Sequence, residues 1–202
     1  MQIDTVFTGD GFTIHRIVVG PMDNNVYLIT DSAAGTGLIV DAADSPRDII
    51  ALAAHVDVDG VFTTHGHWDH HQAIPQVSDA LKVPFMLHPL DAELAGKTPS
   101  VETQPGPILV GATQAMILHT PGHTPGSVCL AIEGVVMTGD TLFPGGPGAT
   151  RFEGSSFTTI IKSIETALFT LPDTTVVLPG HGQPTTIGTE RPQLASWIER
   201  GW

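Results

Sequence analysis

Positive charge is scarce in this chain: 8 Lys and Arg residues stand against 21 Asp and Glu, a formal net charge of −13. A surface so poor in cations offers no basic patch to a phosphate backbone or an anionic bilayer, which excludes nucleic acid and membrane surfaces as partners. Cysteine is almost absent. Cys129, the one cysteine, rules out an internal disulfide. No apolar run is long enough to span a bilayer. Met1-Gln2-Ile3-Asp4 has neither the basic start nor the following apolar stretch of a signal peptide. A cytoplasmic protein is therefore expected. The apolar fraction is 41% over 202 residues, enough for a compact core, and no linker or internal repeat divides residues 1–202, so one domain is expected.

The chain is rich in histidine, with 10 residues, and their placement is uneven. Thr64-His65-Gly66-His67-Trp68-Asp69-His70 packs three imidazoles and a carboxylate behind the apolar run Val61-Phe62-Thr63. Imidazole nitrogen and carboxylate oxygen are the donors that zinc and its first-row neighbours take.

Short β-like runs separated by Gly and Pro predict strands over 12–19, 25–30 and 37–40, with Gly35-Thr36-Gly37 as a hairpin turn. Ser45-Pro46-Arg47-Asp48 predicts a helix start, Ser45 capping and Pro46 in the first position; Ile49, Leu52, Ala53 and Val56 follow at helical spacing. Residues 60–64 read as a strand. A helix over 69–81, with Pro75 as a kink or the start of a second segment, a strand over 83–87 and a loop over 98–107 come next. Strands are predicted at 116–120, 127–132 and 135–138, and a Gly/Pro loop at 144–148. Phe157, Ile160, Ile161, Ile164 and Leu168 mark one helix face; a strand at 175–178 and a helix at 190–200 close the pattern. Two batches of strands, each followed by helices, predict two packed sheets with helices outside.

Three further metal-competent residues stand just past apolar strands and beside glycine: His123 in Pro121-Gly122-His123, Asp140 in Thr138-Gly139-Asp140 and His181 in Pro179-Gly180-His181. Strand ends that converge on one sheet edge can bring them to the histidine cluster. The seven candidates are His65, His67, Asp69, His70, His123, Asp140 and His181. Their number suits two divalent cations sharing a carboxylate. His15, His55, His71, His88 and His119 lack this setting and read as structural or exposed, although His71 abuts His70. Cys129 lies within a strand and reads as a buried apolar residue.

The set resembles the metallo-β-lactamase-fold hydrolases, whose His-x-His-x-Asp-His signature is met by His65 to His70 and whose later His, Asp and His follow in order at His123, Asp140 and His181. The resemblance implies an α/β protein built as a four-layer αββα sandwich. Within that superfamily the chain is most similar to glyoxalase II, the hydroxyacylglutathione hydrolases, through residues 64–70, Gly139-Asp140-Thr141-Leu142-Phe143, and Leu178-Pro179-Gly180-His181-Gly182 with Thr185-Thr186-Ile187-Gly188 behind it. It implies that His65, His67 and His123 hold one metal, that Asp69, His70 and His181 hold a second, and that Asp140 bridges them. Asp41 would stand behind these ligands and orient them. Arg151 and Phe152 fall in a stretch similar to the family's substrate-binding segment, but without its Lys and Tyr. The family's C-terminal helical domain, which supplies basic contacts to glutathione, has no counterpart behind His181, so glutathione is not carried over.

The function implied is hydrolysis of a small-molecule thioester by a metal-bridging hydroxide, with two divalent ions, zinc first and iron or manganese as alternatives, and with Asp69 taking or relaying the water proton. Two rivals stand beside it. A persulfide dioxygenase shares the fold and would hold a single iron with His65, His123 and Asp140. A metal-binding protein without catalysis would keep the fold alone.

Overall fold

The structure, a computed structural model, describes residues 1–201. Seven strands form the first sheet in chain order: β1 (Asp4–Thr8), β2 (Phe12–Val19), β3 (Asn24–Asp31), β4 (Thr36–Val40), β5 (Asp57–Phe62), β6 (Phe85–Leu87) and β7 (Val101–Glu102). Strands β1 to β4 are an antiparallel meander, and β4 to β7 run parallel. The parallel strands need crossovers. Helices α1 (Pro46–Leu52) and α2 (Ile74–Leu81) supply two of them, and the short α3 (Ala92–Ala95) lies in the third.

The second sheet uses β8 (Gly106–Val110), β9 (Thr113–His119), β10 (Val128–Ile132) and β11 (Val135–Gly139). A small hairpin follows, β12 (Leu142–Phe143) with β13 (Gly146–Pro147). The chain then passes through α4 (Phe157–Ser163), which widens into one looser turn over Ile164–Leu168. Strands β14 (Val176–Pro179) and β15 (Thr185–Thr186) complete the sheet, in the order β15-β14-β11-β10-β9-β8. Helices α5 (Ile187–Glu190) and α6 (Leu194–Arg200) end the described chain. No helix among the described residues is long and apolar enough to cross a membrane.

Side-chain alternation sorts the apolar residues into three layers. On β3, Tyr27 and Ile29 face the second sheet, while Val26 and Leu28 face α1 and α2. On β4, Leu38 and Val40 point inward and Ile39 outward. From the other sheet Ile117, Leu130, Met137 and Leu178 fill the space between the sheets. Val136, Val177 and Cys129 pack outward against Ile160, Ile164 and Trp197. The result is the four-layer αββα sandwich expected from the sequence.

Several local expectations are corrected. Strand β1 was not foreseen, and β8 begins inside the stretch expected to be a loop, because Pro107 sits on an edge strand whose outer side needs no amide. Over 69–81 the second of the two options at Pro75 holds: a 3₁₀ turn at Trp68–His70 comes first, and Pro75 stands in the first turn of a separate helix, α2. Ser45 precedes α1 but makes no side-chain cap; its N–H and hydroxyl both donate to Asp44 Oδ1. The hairpin turn lies at residues 32–35, where the Asp31 carboxylate accepts from Ala33 and Ala34 N–H, and Gly37 is already in β4. The helix expected over 190–200 breaks at the 3₁₀ turn Arg191–Gln193, where Pro192 lacks an N–H.

This topology gathers strand ends. Strands β4 and β5 run parallel, so both end at one edge of the first sheet. Strand β9 is antiparallel to β10, β10 is antiparallel to β11, and β11 is parallel to β14. Thus β9, β11 and β14 end at one edge of the second sheet. The two edges are joined: Val128 N donates to Thr64 O at 2.9 Å, and Asn25 N donates to Gly180 O at 2.8 Å.

Candidate metal centre

All seven sequence candidates meet at this joined edge. They fall into groups whose donor atoms lie within 4.8 Å of one another: His65 with His67 and His123, Asp69 with His70 and His181, and His65 with His70 and Asp140. His67 Nδ1 lies 3.1 Å from His65 Nε2 and 2.9 Å from His123 Nε2. His70 Nε2 lies 3.2 Å from His181 Nε2. Asp140 sits between the sets, with Oδ1 3.4 Å from His70 Nε2 and Oδ2 3.6 Å from His123 Nε2 and 3.7 Å from His181 Nε2. Asp69 Oδ2 is 3.4 Å from His181 Nε2 and 3.5 Å from His70 Nε2.

The outward hydrogen bonds decide which ring nitrogens are bare. His123 Nδ1 donates to the Ala149 carbonyl at 2.8 Å, and His181 Nδ1 to the Met22 carbonyl at 3.0 Å. His70 Nδ1 donates to Asp41 Oδ2 at 2.9 Å. Thr64 Oγ1 gives its own proton to Asp41 Oδ2 at 2.8 Å, so it can only accept from His65 Nδ1, 3.2 Å away. In the neutral form that a metal ligand must take, each of these four rings therefore has its bare nitrogen, Nε2, turned inward. Lone pairs face lone pairs and carboxylate oxygens, and Asp140 Oδ1 is buried with no hydrogen-bond partner. Acceptors crowded this way repel unless protons or a metal cation lie among them. The donor set, imidazole nitrogen with carboxylate oxygen, fits divalent first-row metals.

The electrostatics of the two triads differ. Burial, followed by the neighbouring rings, lowers the pKa of His65 well below the ordinary histidine value and that of His67 to about 4. Burial also lowers His123, although Asp140 opposes it. These rings are held neutral. Burial acts the same way on His70, but the Asp140 and Asp41 carboxylates outweigh it and raise the value. For His181, burial is outweighed by the Asp69 hydrogen bond and the Asp140 charge. Burial pushes the Asp69 carboxyl up, yet the His181 hydrogen bond, the His70 charge and the Asn24 amide hold it below the usual carboxylate range.

Asp41 follows β4 and collects Thr64 N at 2.8 Å as well as Thr64 Oγ1 and His70. Phe152 reaches the centre, its ring edge-on to His67 at 5.0 Å and His123 at 5.8 Å. Arg151 reaches only Phe152, with its guanidinium 5.5 Å from the ring centroid. His71 turns away from the ring cluster: Nε2 donates to the Gly66 carbonyl at 3.1 Å and Nδ1 accepts from Lys97 Nζ at 2.8 Å. His88 and His119 stack on each other at 4.5 Å. Cys129 is buried beside Thr120 Oγ1.

Sequence reasoning missed the residues that hold these loops. Asn24 Nδ2 donates to Asp69 Oδ2 at 3.0 Å and to the Asp69 carbonyl at 3.1 Å. Asn25 and Tyr27 reach the His181 loop from β3, and Asp91 reaches the other histidine loops. None carries a motif, so no sequence signal marks them. Gly180, which the sequence places beside His181, makes room for the cluster, since a Cβ there would strike Asp140 Oδ1 and His70.

The family model described as the metallo-beta-lactamase superfamily matches residues 19–181. The chain is 33% identical to the probable metallo-hydrolase YqgX of Bacillus subtilis, over 88% of this chain and 94% of the relative. It is 32% identical to the hydroxyacylglutathione hydrolase GloC of Haemophilus influenzae, over the same shares of each, 88% and 94%. Among solved structures, ETHE1 from Myxococcus xanthus superposes with a TM-score of 0.81 at 28% identity, covering 91% of this chain and 84% of that one. The B3 metallo-beta-lactamase BLEG-1 gives 0.79 at 29% identity, with 89% and 96% covered. TTHA1623 in a di-iron-bound form gives 0.77 at 31% identity, with 87% and 96% covered. Sandwich, histidine cluster and sequence agree: this chain belongs to the metallo-beta-lactamase superfamily, a metallo-hydrolase superfamily.

Proposed function

We propose that the protein hydrolyses small thioesters at a two-cation site. His65, His67 and His123 would hold one cation and Asp69, His70 and His181 the other, with Asp140 between them. The observation that carries this reading is the pair of inward-facing lone-pair sets that meet at the partnerless Asp140 oxygen. The similarity to GloC supports the thioester class.

Divalent cations bound there would bring the pKa of a water to about 7 and polarise a scissile carbonyl. The chain's own groups do the rest. Asp41 holds His70 through Nδ1 and, through Thr64, sets the His65 ring, so both Nε2 lone pairs stay inward. Asp69, kept ionised, accepts a hydrogen bond from the attacking water and is the first group able to take its proton; Asn24 fixes the carboxylate for that role. Phe152 offers an apolar wall beside His67, which suits the acyl chain and shields the site from bulk water. Arg151 is the cation beside this wall and can meet one anionic group of a substrate.

Metal quantification joined to a thioester panel tests the reading. Two cations per chain, thioester cleavage without oxygen, and loss of both cleavage and bound metal in Asp140→Ala are expected. One iron per chain with oxygen consumption would overturn it in favour of persulfide oxidation. A metal-loaded protein inert to the whole panel would overturn catalysis.

A further inference from the structure

Asp91 lies in the 3₁₀ turn Pro89–Asp91 that follows β6, and it is fully buried. No candidate ligand touches it, and no motif includes it. Its carboxylate nevertheless reaches the backbone of both loops that carry the three-histidine set. Oδ2 accepts from Gly66 N at 2.7 Å and from Thr124 Oγ1 at 2.6 Å. Oδ1 accepts from Gly126 N at 2.6 Å. Gly66 lies between His65 and His67, and Thr124 adjoins His123.

The approach is close because both glycines lack a side chain. A Cβ at Gly66 would lie 2.8 Å from the Asp91 carbonyl oxygen, and one at Gly126 would lie 2.6 Å from Asp91 Cγ. The next peptide is held as well. The Gly66 carbonyl accepts from His71 Nε2, and Lys97 donates to His71 Nδ1, which fixes that tautomer. Both peptide planes joining His65 to His67 are thus pinned, one by Asp91 and one by His71. A buried carboxylate with its oxygens taken by N–H and O–H donors is a stiff anchor, since losing it would leave those donors buried without partners.

We propose that Asp91 is the positioning residue of the three-histidine set: it locks the His65–His67 and His123 loops together, and the other triad does not depend on it. This deepens the two-cation reading and rests on it only where cations are counted.

Two measurements on Asp91→Asn separate the claims. Histidine-ring nitrogen NMR of the metal-free protein reads ring placement directly. The variant is expected to shift and broaden the His65, His67 and His123 signals while those of His70 and His181 stay in place. Unchanged signals would overturn the proposal, however many cations the protein takes. Zinc titration of the wild type and the variant reads the consequence. One of two binding events should weaken by about tenfold or more, as happens when groups behind metal ligands are removed, with the other unchanged. Equal weakening of both events would overturn the selectivity. If the wild type takes fewer than two zinc ions, the two-cation reading falls and the ring signals alone decide the role of Asp91. Should Asp91→Asn fail to fold, Thr124→Val removes one donor and keeps the carboxylate; it should move the His123 signal, and an unmoved His123 would overturn the proposal. Asp31→Asn, at a buried carboxylate outside the metal centre, should lower the melting temperature without touching either measurement.

Discussion

The His123 and His181 loops face each other across the same centre, and their side-chain anchors differ: one carboxylate ties the first to the neighbouring histidine loop, while the second is held through its carbonyls by several donors. The His123 loop offers donors, Thr124 Oγ1 and Gly126 N–H, and one carboxylate, Asp91, collects both together with Gly66 of the neighbouring histidine loop. The His181 loop offers acceptors, and several donors share them. Asn25 Nδ2 reaches the Pro179 and Gly182 carbonyls, Tyr27 Oη reaches Pro179 O at 2.7 Å, and Arg16 reaches Gly182 O. The backbone N–H of Asn25 adds Gly180 O. A carboxylate can gather several donors at one point, whereas each donor hydrogen serves one acceptor well. Ser163 Oγ and Ser156 N also hold the Pro121 and Gly122 carbonyls, so the first loop is not held by Asp91 alone, but its link to the His65–His67 loop is concentrated in that one carboxylate, whereas the second loop's link to β2 and β3 is spread over several donors. The triads differ in charge in the same sense, with neutral imidazoles alone in one and a carboxylate among the imidazoles in the other.

The largest effect is expected where the two halves share an anchor. Asp41 accepts from Thr64 twice and from His70 once, so it serves a ring in each triad. Asp41→Ala should abolish binding of both cations and thioester cleavage, and should destabilise the fold by about 2–4 kcal/mol, the scale of buried donors left unpaired. Metal analysis and thermal melts check this. Retention of one cation would show that the two triads are supported independently.

A smaller effect tests redundancy. Tyr27→Phe and Asn25→Ala each remove one of two side-chain donors to Pro179 O, and each should cost about 1 kcal/mol with little change in zinc affinity. The double variant should cost more than the sum, because the carbonyl then loses both partners. Strict additivity in a double-mutant cycle would mean that the donors do not back each other up.

The smallest effect on the metal centre is expected at Asp31, which sits at the far end of β3. Its carboxylate ties the 32–35 turn to Ala112 N–H and the Thr113 hydroxyl of the second sheet. The Ala34 N–H, then the Thr113 hydroxyl and the other amides, hold its pKa below the ordinary carboxylate value. A lowered folded-state value contributes stability above about pH 3.9, the unfolded-state value, and that contribution is lost as pH falls through the folded value. Asp31→Asn should therefore melt lower than wild type at neutral pH, with the gap closing below about pH 4 and metal content unchanged. A gap that is constant with pH would sever the link to ionisation.

Much of this molecule was legible along the chain. Two batches of apolar strand runs, each followed by helices, foretold the layers, because a sheet buried on both faces leaves few positions for polar residues. The metal-competent residues stood out because His65, His67, His123, Asp140 and His181 lie beside a glycine past an apolar strand, and Asp69 and His70 complete the first cluster. The break at Pro75 was legible, but strand β1 and the break at 190–200 were not, because a pairing partner and Pro192 overrode periodicity. His71 shows the limit most clearly. By residue type and position it was as eligible as His70, and only the packing of Lys97 and Gly66 turned it away from the centre.

The sequence by itself determined the superfamily, the order of the layers and the residue types available to a cation, since these follow from local pattern and chemistry. The tertiary structure decided which ring nitrogens face inward, how the seven side chains divide into sets, and that Asn24, Asn25, Tyr27 and Asp91 hold them. Those outcomes depend on hydrogen bonds between segments far apart in the chain, and nothing in local composition records which donor will meet which acceptor.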